Sequence, residues 1–219
     1  MDITLKLIQR EKKAKNTGLE VALINRTDES RGAQVGLFNV ADESRGAQVG
    51  LFNGANESSY GAQVGLVNVA DESSYGAQVG LFNIANESSY GAQVGLFNVA
   101  DESREAQVGL VNIANESRGA QVGLFNVADE SRGAQVGLFN GANESRGAQV
   151  GLFNVANESR GAQVGLFNVA KTMRGLQGGL VNIVGNDALG VQVGVLNIRT
   201  GNPWYSYVIP GIAIRTKKK

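Results

Sequence analysis

The chain has 219 residues, 20 Lys+Arg against 20 Asp+Glu, and neither Cys nor His. Those absences exclude disulfides, thiol chemistry, zinc fingers, His-based metal centres and any catalytic triad built on an imidazole base. The balanced charge argues against a general electrostatic grip on nucleic acid, and the 42% hydrophobic content is that of a folded protein.

Residues 1–17 read as an N-terminal cap strand with a basic segment. Ile3, Leu5 and Leu7 alternate, and Arg10, Lys12, Lys13 and Lys15 follow as edge-blunting charges. The start has no apolar stretch of the length a secretory signal needs, and no run in the chain approaches the roughly 18 apolar residues of a membrane helix.

From residue 18 to 198 one unit recurs, G-A-Q-V-G-L-F-N-V-A-(D/N)-E-S-R. Its Asn appears 13 times, from Asn25 to Asn197, at spacings of 14 or 15. The extra residue of the longer copies always falls in the polar segment, as in Ser58-Ser59-Tyr60 against Ser44-Arg45, which marks that segment as a turn. Ala33, Val35 and Leu37 alternate with Gln34 and Gly36, a period of two, so the unit predicts β-strand. The turn Gly is free to take positive φ, although Glu105 replaces it once.

Two architectures fit this unit. In a parallel, in-register β-solenoid of about 13 coils, each residue lies about 4.8 Å above its own copy, making a rod about 60 Å long. In an antiparallel up-and-down meander or β-barrel, each unit is one strand. The solenoid gives identity a physical purpose, because stacked amides pair along the column. Gln34, Gln48, Gln63, Gln78 and Gln93, and Asn39, Asn53, Asn68, Asn83 and Asn98, are the expected amide ladders; Phe38, Phe52, Phe82 and Phe97 are the expected aromatic ladder. The residue after the Ala alternates between Asp42, Asn56, Asp71 and Asn86, which in a stack keeps like charges apart; a 28-residue duplication unit or alternate edges of a meander explain it equally. The expected interior is Ala33, Val35 and Leu37 from one strand, with Phe38 and Val40 from the next. The Phe column is read as core, and the Ala-Asp-Glu-Ser-Arg half supplies it little apolar area.

Residues 199–219 leave the repeat and read as a C-terminal cap with a basic tail. Pro203, Pro210 and Lys217–Lys219 are edge-blunting residues, and Trp204–Tyr207 is a minor candidate for an aromatic ligand or membrane-interface site.

The tandem G-x-Q-x-G-x-x-N unit over Gly18–Ile198 resembles an uncharacterised bacterial surface-repeat family with tandem GLQxGLxN units. The first copy departs from the pattern, with Glu20 and Ala22 in place of Gln and Gly, and Gly178 replaces a Val in another. The resemblance implies a cell-surface location and transfers no functional residue.

The residues point away from catalysis. Ser without a His base is a poor nucleophile, and identical acids on every rung do not make a unique site. Glu43 and Arg45 read as a solvated ion pair, and a repeated Asp42-Glu43 face as at most a weak Ca²⁺ binder. Asn56, Asn86, Asn115, Asn143 and Asn157 begin Asn-x-Ser sequons, which matter only on a eukaryotic secretory route. The expected function is therefore a non-enzymatic structural or surface-display scaffold, rod-like and able to self-assemble end to end or side by side into a filament. It needs no cofactor and binds no nucleic acid; contact with a membrane or a polysaccharide has no residue-level support. Two alternatives stand beside it: an outer-membrane β-barrel, and a scaffold whose exposed Gln column recognises a repetitive polymer.

Overall fold

The structure, a computed structural model, describes residues 3–10, 15–185, 188–200 and 208–216, with side chains described from residue 17 onward. All regular structure among them is β-strand, and the chain divides into two compact units, Met1–Leu110 and Val111–Lys219. In both units, successive copies run parallel and in register. Gln34 pairs with Gln48 and that with Gln63, while Asn39 pairs with Asn53. In the second unit Gln121 pairs with Gln135, and Asn126 with Asn140. The fold is thus an all-β parallel solenoid, and the antiparallel meander and the barrel are excluded.

Each coil has a short strand such as Gln93–Val94, a bend at Gly-Leu, a long strand such as Phe97–Ser103, and a turn at Arg-Gly. The turn is held by the inward Ser, whose Oγ donates to the carbonyl two residues on (Ser44 to Gly46, 3.2 Å; Ser59 to Gly61, 3.1 Å). In the 15-residue coils the extra residue sits between the Ala and this Ser, not in the turn itself. Ser44, Ser59, Ser74 and Ser89 keep their pairing, and the register shifts between Ala85 and Ser88. It is a β-bulge in the long face.

The interior corrects the expectation. Gln, Asn, Ser and the second Ala of each unit point inward, while Leu37 and Phe38 are exposed, Phe38 by 48%, and Ala33, Val35 and Val40 are half-buried. The reason is parity. Along the long strand Phe38, Val40 and Asp42 share one face, and Asn39 and Ala41 the other, so burying the Phe would bury a carboxylate at every second rung. The space is also narrow enough for one amide to cross it. Gln48 Nε2 from a short strand reaches the Gly54 carbonyl of a long one (3.2 Å), and Asn39 Nδ2 reaches back to the Val49 carbonyl (2.9 Å).

Glycine follows from the same crowding. At Gly80 a Cβ would collide with the Gly65 carbonyl of the preceding coil and lie 2.7 Å from Asn68 Nδ2, so this Gly makes room for the Asn column. The turn glycines such as Gly46 and Gly61 make a similar close approach to the preceding coil's carbonyl without positive φ; in that column only Gly190 among the described glycines has a positive φ, and Gly211 in the end strand has the other.

The first strand, Ile3–Arg10, pairs parallel with Leu19–Ser30, placing Gln9 beside Asn25, so its backbone continues the repeat register. At the other end Val208–Arg215 lies antiparallel on Ala188–Arg199. Met173 stands in the Ser column and is buried with Ala170, Val184 and Ala188, an apolar plug near the last coils. Pro203, Trp204–Tyr207 and Lys217–Lys219 lie outside the described residues.

Candidate functional site: amide ladders inside, apolar columns outside

The predicted Gln and Asn residues come together as two hydrogen-bonded columns. In the first unit, Nε2 of each Gln donates to Oε1 of the Gln one coil earlier: Gln48 to Gln34 (3.0 Å), Gln63 to Gln48 (2.9 Å), Gln78 to Gln63 and Gln93 to Gln78 (2.8 Å each). The Asn column runs the other way. Asn39 Nδ2 donates to Asn53 Oδ1 (2.8 Å), Asn53 to Asn68 and Asn68 to Asn83 (2.9 Å each), and Asn83 to Asn98 (2.8 Å). The second unit repeats both directions, as in Gln149 to Gln135 and Asn140 to Asn154 (2.8 Å each). The two columns therefore carry opposed amide dipoles. Along the middle of both columns the amide nitrogen gives its second hydrogen to a backbone carbonyl across the coil, as Gln63 does to Val69 (3.2 Å) and Asn68 to Val79 (3.0 Å), whereas at the head of the Asn column the buried Asn25 Oδ1 accepts from no partner among the described residues.

Each column's donating end meets an acceptor. Gln34 Nε2 donates to the buried Glu20 carboxylate (3.2 Å) and to Thr27 Oγ1 (3.1 Å). Asn197 Nδ2 donates to the carbonyl of Gly211 in the antiparallel end strand (2.8 Å). This explains the departure at Glu20. The head of the Gln column has only to accept, and a carboxylate does that.

Outside, the columns are apolar around one side of the coil: Val from the short strand, Leu at the bend, then Phe and Val or Ile from the long strand. Phe38 and Phe52 are tilted at 6.2 Å between ring centroids, and Phe82 and Phe97 are stacked at 5.0 Å; Val67 stands between the two pairs. In the second unit Phe125, Phe139, Phe153 and Phe167 form an unbroken stack at 4.8–5.1 Å. A further column, not foreseen, takes the Arg position of the longer coils: Tyr60, Tyr75 and Tyr90 stack at 4.7 and 4.6 Å, with Arg45 and Arg104 over the outer rings at 5.9 and 4.4 Å. Three Tyr at a spacing of 15 were visible in the sequence and were the available signal.

The charged columns are paired locally. Glu43 accepts from Arg45 Nε (2.9 Å), which raises the guanidinium pKa above its ordinary value, and the same Glu-x-Arg pair recurs at Glu130–Arg132 and Glu144–Arg146 (3.1 Å each). At Arg199, burial and then the charge of Arg215 act the other way. The Asp/Asn alternation is a hydrogen-bond pattern in the stack. Asn56 Nδ2 donates to Asp42 (2.7 Å), Asn86 to Asp71 (3.1 Å) and Asn143 to Asp129 (2.9 Å). Among the described residues no group of three or more Asp or Glu is arranged to hold a metal ion. The Gln column is wholly buried, so it offers no surface to a polymer and that alternative falls.

One irregularity in the second unit went unread in the sequence. Gly141 stands in the outward Val column between Val127 and Val155, and a Cβ there would meet nothing within 4 Å. Gly141 lies in an open dent of about 230 Å³ lined also by Asp129, Asn143 and Val155, and Ala142 in it is half-buried where its counterparts Ala128 and Ala156 are buried. The chain matches no protein-family model, no curated protein and no solved structure.

Proposed function

We propose that the chain is a non-enzymatic structural scaffold that stands at the cell surface and displays its outer columns. The observation that carries the reading is the pair of amide ladders. The interior polar groups bind one coil to the next, and each rung repeats the chemistry of its neighbour instead of building a unique constellation. The resemblance of the repeat unit to a bacterial surface-repeat family supports the location. The end strand supports side-by-side over end-to-end assembly, since Val208–Arg215 interrupts the parallel register at the last coil.

A scaffold of equivalent coils tolerates loss of one. Deleting residues 119–132 joins Arg118 to Gly133 in register. The shortened chain, carrying a terminal tag, should keep its strand spectrum by circular dichroism. Protease added to intact producing cells should remove the tag. Collapse of the fold on removal of one whole coil would contradict the modular part of the reading. A tag protected in intact cells but cleaved after lysis would contradict the surface part.

A further inference from the structure

The outer face of the second unit presents more apolar surface than a lone soluble domain ordinarily carries. Leu124, Leu138, Leu152 and Leu166, the four stacked Phe, and Val127 and Val155 are each between 36% and 50% exposed. With aromatic side chains of about 150–250 Å² and smaller aliphatic ones, that is on the order of 800 Å², the share each partner contributes to a standard specific interface. None of these columns carries a charge; beside them on the same strand face stand one exposed acid, Asp129, and one exposed base, Lys171, and the neighbouring Glu130–Arg132 and Glu144–Arg146 pairs neutralise themselves, so the face has no net charge to steer a charged partner.

We propose that this face binds a second copy of the same chain, the two long-strand faces packing antiparallel about a two-fold axis, with Val155 of each copy seated in the Gly141 dent of the other. This deepens the scaffold reading by naming its partner. Three observations carry it. The surface repeats at the coil spacing, with rings 4.8–5.1 Å apart and within 5° of parallel, and a second copy repeats at the same spacing. The Phe block is four rungs long and is flanked by Val111 and Val181. A two-fold axis centred between the rungs of Phe139 and Phe153 pairs the block with itself. That axis places the rung of Gly141 opposite the rung of Val155, so the side chain missing from one copy is supplied by the other, twice over. A closed isologous contact of this kind also fixes a register that identical rungs would leave free.

The test is analytical ultracentrifugation of the full chain without detergent, with circular dichroism on each variant. The parent should sediment as a dimer. Gly141→Val fills the dent, and with nothing near its Cβ it should keep the parent strand spectrum while weakening the dimer at least tenfold. Val155→Gly removes the knob and should weaken it similarly. The double variant, which exchanges knob and hole, should recover most of the parent's affinity. A monomeric parent overturns the proposal while leaving the scaffold reading intact if the strand spectrum persists. So does flotation of the monomer with phosphatidylcholine vesicles, which would make lipid the occupant. Equal dimerisation of Gly141→Val and parent, or failure of the double variant to recover, overturns the pairing through the dent.

Discussion

Replacing Gln93 by Ala cuts the Gln column inside the first unit, between Gln78 and Gln107. Gln93 is fully buried; its Nε2 donates to Gln78 Oε1 (2.8 Å) and to the Val99 carbonyl (3.2 Å), and its Oε1 accepts from Gln107 (2.8 Å). The substitution takes the donor from two buried oxygens and this acceptor from Gln107. Losing partners for buried polar groups costs about 1–3 kcal/mol each, and the vacated volume adds a further term, so a total of about 4 kcal/mol is expected. Unfolding entropy near 2.1 cal/mol/K per residue gives a unit of this size a melting shift of about 15–20 °C if it melts as one block. The assay is thermal unfolding followed by circular dichroism. Gln93→Glu sharpens it. A mid-column carboxylate accepts but cannot donate to Gln78, so burial and the facing oxygen raise its folded pKa above the ordinary value of about 4.3. A raised folded pKa means that stability is present below the unfolded pKa and lost as pH rises through the folded one. The Glu variant should therefore be least stable at neutral pH and recover in acid, where the protonated carboxyl donates. A Gln93→Ala chain melting within about 3 °C of the parent would refute the reasoning, since a column worth so little cannot be what holds the coils together.

Three further outcomes follow from the same geometry. Phe82→Ser should cost about 1 kcal/mol by chemical denaturation, against the 3–5 kcal/mol of a buried Phe, because the ring is 43% exposed and loses chiefly its stacking on Phe97. Gly80→Ala should destabilise by roughly 2 kcal/mol or more, since the new methyl meets the Gly65 carbonyl and Asn68, whereas Gly178→Ala, with nothing within 4 Å of the added methyl, should be nearly neutral in the same melts. Asn143→Asp places a carboxylate beside Asp129 where an amide now donates at 2.9 Å. Mutual repulsion raises the folded pKa of the pair, so a loss of under about 1 kcal/mol near neutral pH should fade as the pH falls below about 3.9, read by melts across that range.

Much of this architecture was legible in the residues. Identity at fixed spacing placed Gln34 over Gln48 and Asn39 over Asn53, because amides stacked at strand spacing pair with their own kind, and the structure has those pairs. The sidedness was misjudged for a definite reason. Hydrophobicity favours burying Phe38 and Leu37, but strand parity ties Phe38 to Asp42, and an interior one amide wide has no place for rings. A closer weighing of Asp42 against Phe38 would have turned the strand over. Met173 in the Ser column was visible as an apolar departure, and it is buried at the plug. The role of Glu20 depends on the direction in which the Gln amides donate, which no single residue type announces. The Gly141 dent likewise depends on which face its column presents.

The central claim, polar amides inside and aromatic columns outside, is tested most directly by hydrogen exchange of the Asn and Gln side-chain amides in the native chain, followed by NMR. The account predicts that the column amides, Gln78 and Asn83 among them, exchange slowly and only through opening of the coils, while the exposed amides of Asn86 and Asn143 exchange rapidly. Rapid exchange of the column amides under conditions where the backbone stays protected would contradict it.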